Sequence, residues 1–294
     1  HRDLHSFPTR RSSDLNPSGG TSNTVWEEND YWPQEIYSTL AHEFQHMIHF
    51  YEKNVRQGIA SQTWFNELCS AIAEDYSSWK LGVDGPRGIV WDDLSTGPSG
   101  NQYGRLPLFT YAPEDSLVEW GSSDPDHIID IDYSSAYAFG SWLVRNHGAG
   151  ALVKAMVQGN AYTGFSAVKN GIKAMDGSSP SVFSLLRSWA LACLASGSSP
   201  GEPYAYATGN ASGFSQTVDG LGYALGSIDL AKYSYRYRTN PSAYWTGGVY
   251  IWDTLPQVAS SPASNVYIKL PTANGSASAV LNLEAGMGVT VVLR

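Results

Sequence analysis

Two imidazoles and a carboxylate stand close together in His42-Glu43-Phe44-Gln45-His46. On a helix, residues four apart lie one turn above each other on the same face, so His42 and His46 can offer nitrogens to a single ion. Glu43 is one position from His42 and three from His46. Its carboxylate then sits beside the metal without ligating it, placed to take a proton from a water whose pKa the metal lowers to ~7. Five histidines lie outside residues 1–15, and a chance match to this pattern is of order one in a hundred.

A catalytic zinc needs a third protein ligand and one open position. Trp64-Phe65-Asn66-Glu67-Leu68 supplies the preferred candidate, Glu67, 21 positions after His46. A loop and an antiparallel helix would bring it back over the first helix. Glu74, about two turns further on a similar face, is the alternative, and Asp75 a weaker one.

These residues need helices to position them. Pro33 suits a first helical turn, and a helix is expected from about Gln34 to Lys53. Ile36, Leu40, Phe44, Met47 and Ile48 form its apolar stripe at 3–4 residue spacing. A second helix is expected from about Ser61 to Leu81, with Phe65, Leu68, Ile72 and Tyr76 on its apolar face. Residues 82–132 are rich in Gly, Pro, Asp and Ser and show little periodicity. Helical patterns resume at Ser134–Asn146, Ala149–Gln158, Phe165–Met175 and Pro180–Ala195. After Gly197-Ser-Ser-Pro-Gly-Glu-Pro203 short alternating runs dominate: Tyr233–Tyr237, Val249–Trp252, Val266–Leu270, Ala279–Leu283 and Val289–Leu293. The expected fold class is therefore α+β, a mainly helical domain over 16–198 followed by a small β-rich module over 204–294.

The chain has 294 residues, 18 Lys and Arg against 27 Asp and Glu, and a net charge of −9. That balance argues against a nucleic-acid partner, which needs a basic face, and against docking on anionic lipid. No apolar run approaches the ~20 residues of a membrane span. Cys69 and Cys193 sit in apolar helical patterns and read as buried hydrophobes rather than a bridge. His1 to Leu15 has no periodicity and resembles translated sequencing-adapter read-through, so it is set aside from fold reasoning. On that reading the upstream part of the gene is missing.

Ser38-Thr-Leu-Ala-His-Glu-Phe-Gln-His-Met-Ile48, followed by Trp64-Phe-Asn-Glu67, resembles the hyicolysin-type neutral metallopeptidases of the gluzincin group, which also holds thermolysin and the zinc aminopeptidases. The match is dense over about 36–80, looser through Arg105–Phe109, Leu117–Trp120 and Tyr133–Gly148, and absent over 200–294. Leu68-Cys69 departs from the family, which usually has Gly after the Glu. The resemblance implies a gluzincin-like fold, one catalytic Zn²⁺ on His42, His46 and Glu67, Glu43 as general base, a protein or peptide substrate, and an extracellular or cell-surface location. Such enzymes also bring a Tyr or His from a later helix to the oxyanion. Tyr133 occupies such a place, with Tyr137 one turn on as the alternative; packing roles for both tyrosines explain them equally well. The family's edge strand, to which a peptide substrate adds, would lie upstream of residue 33, where no strand pattern is present.

Other residues read more plainly. His49 is a neighbour of the site or a surface group, and His147 a cation at a helix C-terminus. Asp124, Asp126, Asp130 and Asp132 could bind Ca²⁺, but a solvated loop explains them better. The aromatics between Tyr233 and Trp252 could form a carbohydrate or peptide platform, although alternating core positions account for most. A competing function is a non-catalytic surface binding protein on a metallopeptidase-like core. The intact Glu43 argues against it, because a relic could lose that base at no structural cost. A zinc hydrolase acting on something other than peptides is the third possibility.

Overall fold

The computed structural model describes residues 31–81, 86, 105, 109, 112–121, 129–159, 161–195, 215–218, 221–224, 230, 235–236, 244–245, 249–251, 261–270 and 280–291. Residues 1–15, Asp124, Asp126 and the expected domain boundary at 199–203 lie outside them, as do most of 82–128. Among the described residues the chain is mostly helical. The helices are α1 (Tyr31–His49), α2 (Thr63–Leu81), α3 (Ile129–Asn146), α4 (Ala149–Val157), α5 (Gly164–Asp176) and α6 (Val182–Ala195). Each expected helix is present, with ends shifted by a few residues.

The first helix departs from expectation twice. It gives way after His49 to a π-helical stretch, Phe50–Arg56. That stretch buries two adjacent charged residues, Glu52 and Lys53. Lys53 Nζ donates to the Met156 carbonyl at 2.8 Å, and Glu52 pairs with Arg56 at 2.8 Å. Gly58, at φ 68°, turns the chain out of the stretch in the left-handed conformation that favours glycine. The apolar stripe, moreover, faces outward: Leu40, Phe44 and Met47 are 59%, 60% and 66% exposed, and Ile36 and Ile48 are exposed too. The buried face of α1 and its π-helical extension is Ser38, His42, Gln45, His49, Glu52 and Lys53. Periodicity identifies a stripe but not the direction it faces. Here the neighbour, α2, offers a polar stripe of its own, and the polar faces meet.

α2 has two working faces. Trp64, Phe65, Leu68 and Ile72 enter the hydrophobic core. Glu67, Ser70 and Glu74, spaced three and four apart, form a second line that reaches His42 and His46 on α1. α3 packs on the other side of α2 and is buried continuously from Ile131 to Val144. Small residues let it come close. A Cβ on Gly140 would stand 2.8 Å from Leu68 Cγ and 3.2 Å from Ile72 Cγ1. The hydroxyls of Ser134 and Ser141 bond back to the Asp130 and Ala138 carbonyls, so their burial leaves no orphaned group. α4 and α5 pack together, Gly171 meeting Leu152 and Met156. Cys69 and Cys193 are both free and buried in this core, as expected.

Beyond α6 the described residues hold three short pairs. β1 (Ser215–Val218) and β2 (Leu221–Ala224) are antiparallel, as are β3 (Tyr235–Arg236) and β4 (Tyr244–Trp245), while β5 (Val249–Ile251) and β6 (Tyr267–Lys269) are parallel. The described parts of the Ala279–Leu283 and Val289–Leu293 runs are not strands. Leu230 and Tyr267 return to the helical core. The Leu230 amide donates to the Cys193 carbonyl at 2.9 Å, and Ser116 Oγ to the Pro262 carbonyl at 2.7 Å. No helix of the described residues is long and apolar enough to cross a membrane.

Candidate metal centre

α1 and α2 bring three ligand atoms together. His42 Nε2 and His46 Nε2 are 3.1 Å apart. Glu67 Oε2 is 3.2 Å from the first and 3.4 Å from the second. Ligands ~2.0–2.1 Å from a tetrahedral ion stand roughly 3.3–3.4 Å from one another, so this near-equilateral triangle has the size of one tetrahedral face. His42, His46 and Glu67 could therefore hold a metal ion. His42 and Glu67 are buried and His46 is partly so.

The opposite edge of each imidazole is also held. His42 Nδ1 lies 3.1 Å from Glu74 Oε2, and His46 Nδ1 lies 3.0 Å from Ser70 Oγ. Ser70 in turn donates to Gln45 Oε1 at 3.4 Å. Partners on Nδ1 aim both Nε2 lone pairs at the common point, the usual arrangement around a metal-bound histidine. Glu74, the alternative third ligand, thus serves His42 from behind, and Glu67 is the carboxylate that converges. Asp75 is buried outside the ligand set.

The electrostatics fit a cation site. Burial disfavours charge on His42, but the Glu67 and Glu74 carboxylates outweigh it and push the imidazole up to about 9. Burial would raise Glu67, yet its bonds to His42 and His46 hold it down to about 2. Without an ion, a proton on His42 does the neutralising that a cation would do.

Glu43 is half-buried on α1. Tyr133 enters from near the start of α3, with Trp120 edge to face at 4.9 Å and the Arg105 guanidinium 4.7 Å over its ring. Burial raises its phenol well above the usual value; Glu67 and Glu43 push the same way, and Arg105 opposes them. Tyr133 therefore shares a field with both acids and stays a protonated donor. Tyr137, the alternative, is wholly buried in the hydrophobic core.

The remaining candidates fall elsewhere. His49 is neither a ligand nor a surface group: it is 1% exposed, its Nε2 is 2.6 Å from Ser61 Oγ, and its ring stands edge-on to Phe65. Burial, with Lys53 and His46 nearby, lowers it to about 4. His147 follows α3 and lies 3.6 Å from Asp176. Asp132 is buried and accepts the Gly121 amide at 2.8 Å, while Asp130 is exposed. Neither joins a metal-binding group among the described residues.

Ser70 and Arg105 were not singled out from sequence. Ser70 had a signal: it is three residues after Glu67 and must share its stripe. Arg105 had only a loose one, the resemblance over Arg105–Phe109, because it comes from the aperiodic stretch between α2 and α3. Comparison with known proteins finds no family model that matches this chain and no curated protein similar to it in sequence.

Proposed function

We propose that the chain is a zinc metallopeptidase of the gluzincin type, acting on proteins or peptides outside the cell, with a helical catalytic core followed by a β-rich module. The observation that carries the reading is the His42, His46 and Glu67 triangle at 3.1, 3.2 and 3.4 Å, with Glu43 on the turn between the two histidines. Two neutral imidazoles and one carboxylate, with one position open, are a donor set that suits catalytic zinc. Bound there, zinc would supply Lewis acidity toward the scissile carbonyl and bring the pKa of water to ~7.

The chain's own residues supply the rest. Glu74 and Ser70 fix the orientation of the two imidazoles. The Glu43 carboxylate takes a proton from the attacking water and returns it to the leaving amine nitrogen. The Tyr133 hydroxyl, kept protonated by its surroundings, donates to the oxygen that gains negative charge. Glu43 separates this reading from a site that merely stores metal.

The test measures bound zinc and cleavage of casein for the wild type and Glu43→Gln. About one zinc per chain is expected in both, with cleavage in the wild type alone. Equal cleavage by the two would refute the mechanism, and absence of zinc from both would refute the site.

A further inference from the structure

Arg105 stands where two parts of this site meet. Its Nη2 is 3.8 Å from Glu74 Oε2, the same oxygen that lies 3.1 Å from His42 Nδ1. Its guanidinium carbon is 4.7 Å from the centre of the Tyr133 ring, which also meets Trp120 edge to face. Its backbone amide donates to the Pro86 carbonyl at 2.6 Å, fixing the point from which the side chain extends. The side chain is 23% exposed.

We infer that Arg105 is a positioning residue that ties the His42–Glu74 pair to Tyr133, so that metal ligand and oxyanion donor are held by one guanidinium. The inference rests on the metallopeptidase reading above. The chemistry is particular to arginine. A guanidinium has an edge of N–H groups for a carboxylate and a flat face for an aromatic ring, and can use both at once. Lysine has a compact charge that can satisfy Glu74 but offers no face to Tyr133. Through Glu74, Arg105 acts on the aim and basicity of His42. Through the ring, it acts on where the Tyr133 hydroxyl points. These two effects separate by substitution.

The full chain is prepared as wild type, Arg105→Lys and Arg105→Gln. Zinc affinity is read by competition with a chromogenic chelator, and kcat and KM on a peptide substrate at saturating zinc. Arg105→Gln is expected to weaken zinc binding about 10-fold, the lower end of the effect of losing an outer partner, and to lower kcat with KM nearly unchanged. Arg105→Lys is expected to recover zinc affinity to within about twofold while kcat stays about 10-fold low, because only the contact with Glu74 is restored. Wild-type affinity and kcat in Arg105→Gln would overturn the inference. Full recovery of kcat in Arg105→Lys would overturn the tie to Tyr133, and a change confined to KM would make Arg105 a substrate-binding group instead. If Arg105→Gln does not fold, Arg105→Lys decides through kcat. A wild type that holds zinc and cleaves, but is matched by both variants, defeats this inference alone; a wild type that does neither defeats the metallopeptidase reading and this inference with it.

Discussion

α1 and α2 are each 19 residues long and pack against one another, yet they use their side chains in opposite ways. α2 buries Trp64, Phe65, Leu68 and Ile72 and gains stability as helices usually do, by removing apolar area from water. α1 buries Ser38, His42, Gln45 and His49 and leaves Leu40, Phe44 and Met47 in solvent. Burying polar groups costs free energy unless each finds a partner. α1 is therefore held less by its own apolar residues than by what its polar face binds: Glu67, Ser70 and Glu74 across the interface, and on our reading a metal ion.

The largest test of that contrast removes the ion. An ion that binds only the folded chain stabilises it by about 4 kcal/mol when present at 1,000 times its dissociation constant. Chelation of the zinc-loaded wild type should lower stability by about that amount in denaturant titrations and abolish cleavage. Glu67→Ala, lacking one corner of the triangle, should show almost no difference between zinc and chelator. A variant that gained as much from zinc as the wild type would show that Glu67 is not a ligand.

The same contrast explains what could be read from the sequence. His42, Glu43 and His46 were legible because metal chemistry demands those residue types at that spacing; the need for a third donor pointed to Glu67 but left Glu74 and Asp75 open, which only the return of α2 over α1 resolves. α2 was legible because its apolar period and its direction of burial agree. The direction of α1 was not, since a helical period shows that a face exists and not what lies against it. Arg105 was hidden for another reason: its place depends on how the chain returns between α2 and α3, and no local pattern encodes that. The strand-like runs near the end mislead in the opposite sense, since where described at 280–283 and 289–291 they form no ladder.

Paired substitutions sharpen the comparison further. Leu68→Ala opens a void where α2 meets α3, at the place where Gly140 lets the two helices approach. It should cost about 3 kcal/mol, within the usual range for a buried leucine. Met47→Lys, on the outward stripe of α1, should stay within about 0.5 kcal/mol of the wild type. Urea titrations at pH 7 measure both. A loss for Met47→Lys as large as that for Leu68→Ala would mean that the stripe is covered in solution.

A further effect, smaller than those of chelation and Leu68→Ala, lies on the buried polar face itself and depends on pH. His49 is buried beside Lys53 and bonded to Ser61, and its folded-state pKa falls from 6.5 to about 4. The unfolded chain then binds a proton that the folded chain refuses, so His49 contributes its full stability above pH 6.5 and loses it as pH falls toward 4. In metal-free protein His42 acts with the opposite sign: raised to about 9, it contributes fully below pH 6.5 and loses that contribution as pH rises through 9. Glu67, held near 2, loses its contribution only below its unfolded value of 4.5. Of these three groups, His49 alone spans the interval from 6.5 to 4.5. Over that interval the metal-free wild type should lose on the order of 2 kcal/mol through His49. His49→Gln keeps a donor for Ser61 but cannot titrate, and its stability should be flatter by the same amount. An unchanged slope in His49→Gln would place the proton uptake elsewhere and leave the polar face of α1 insensitive to acid in this range.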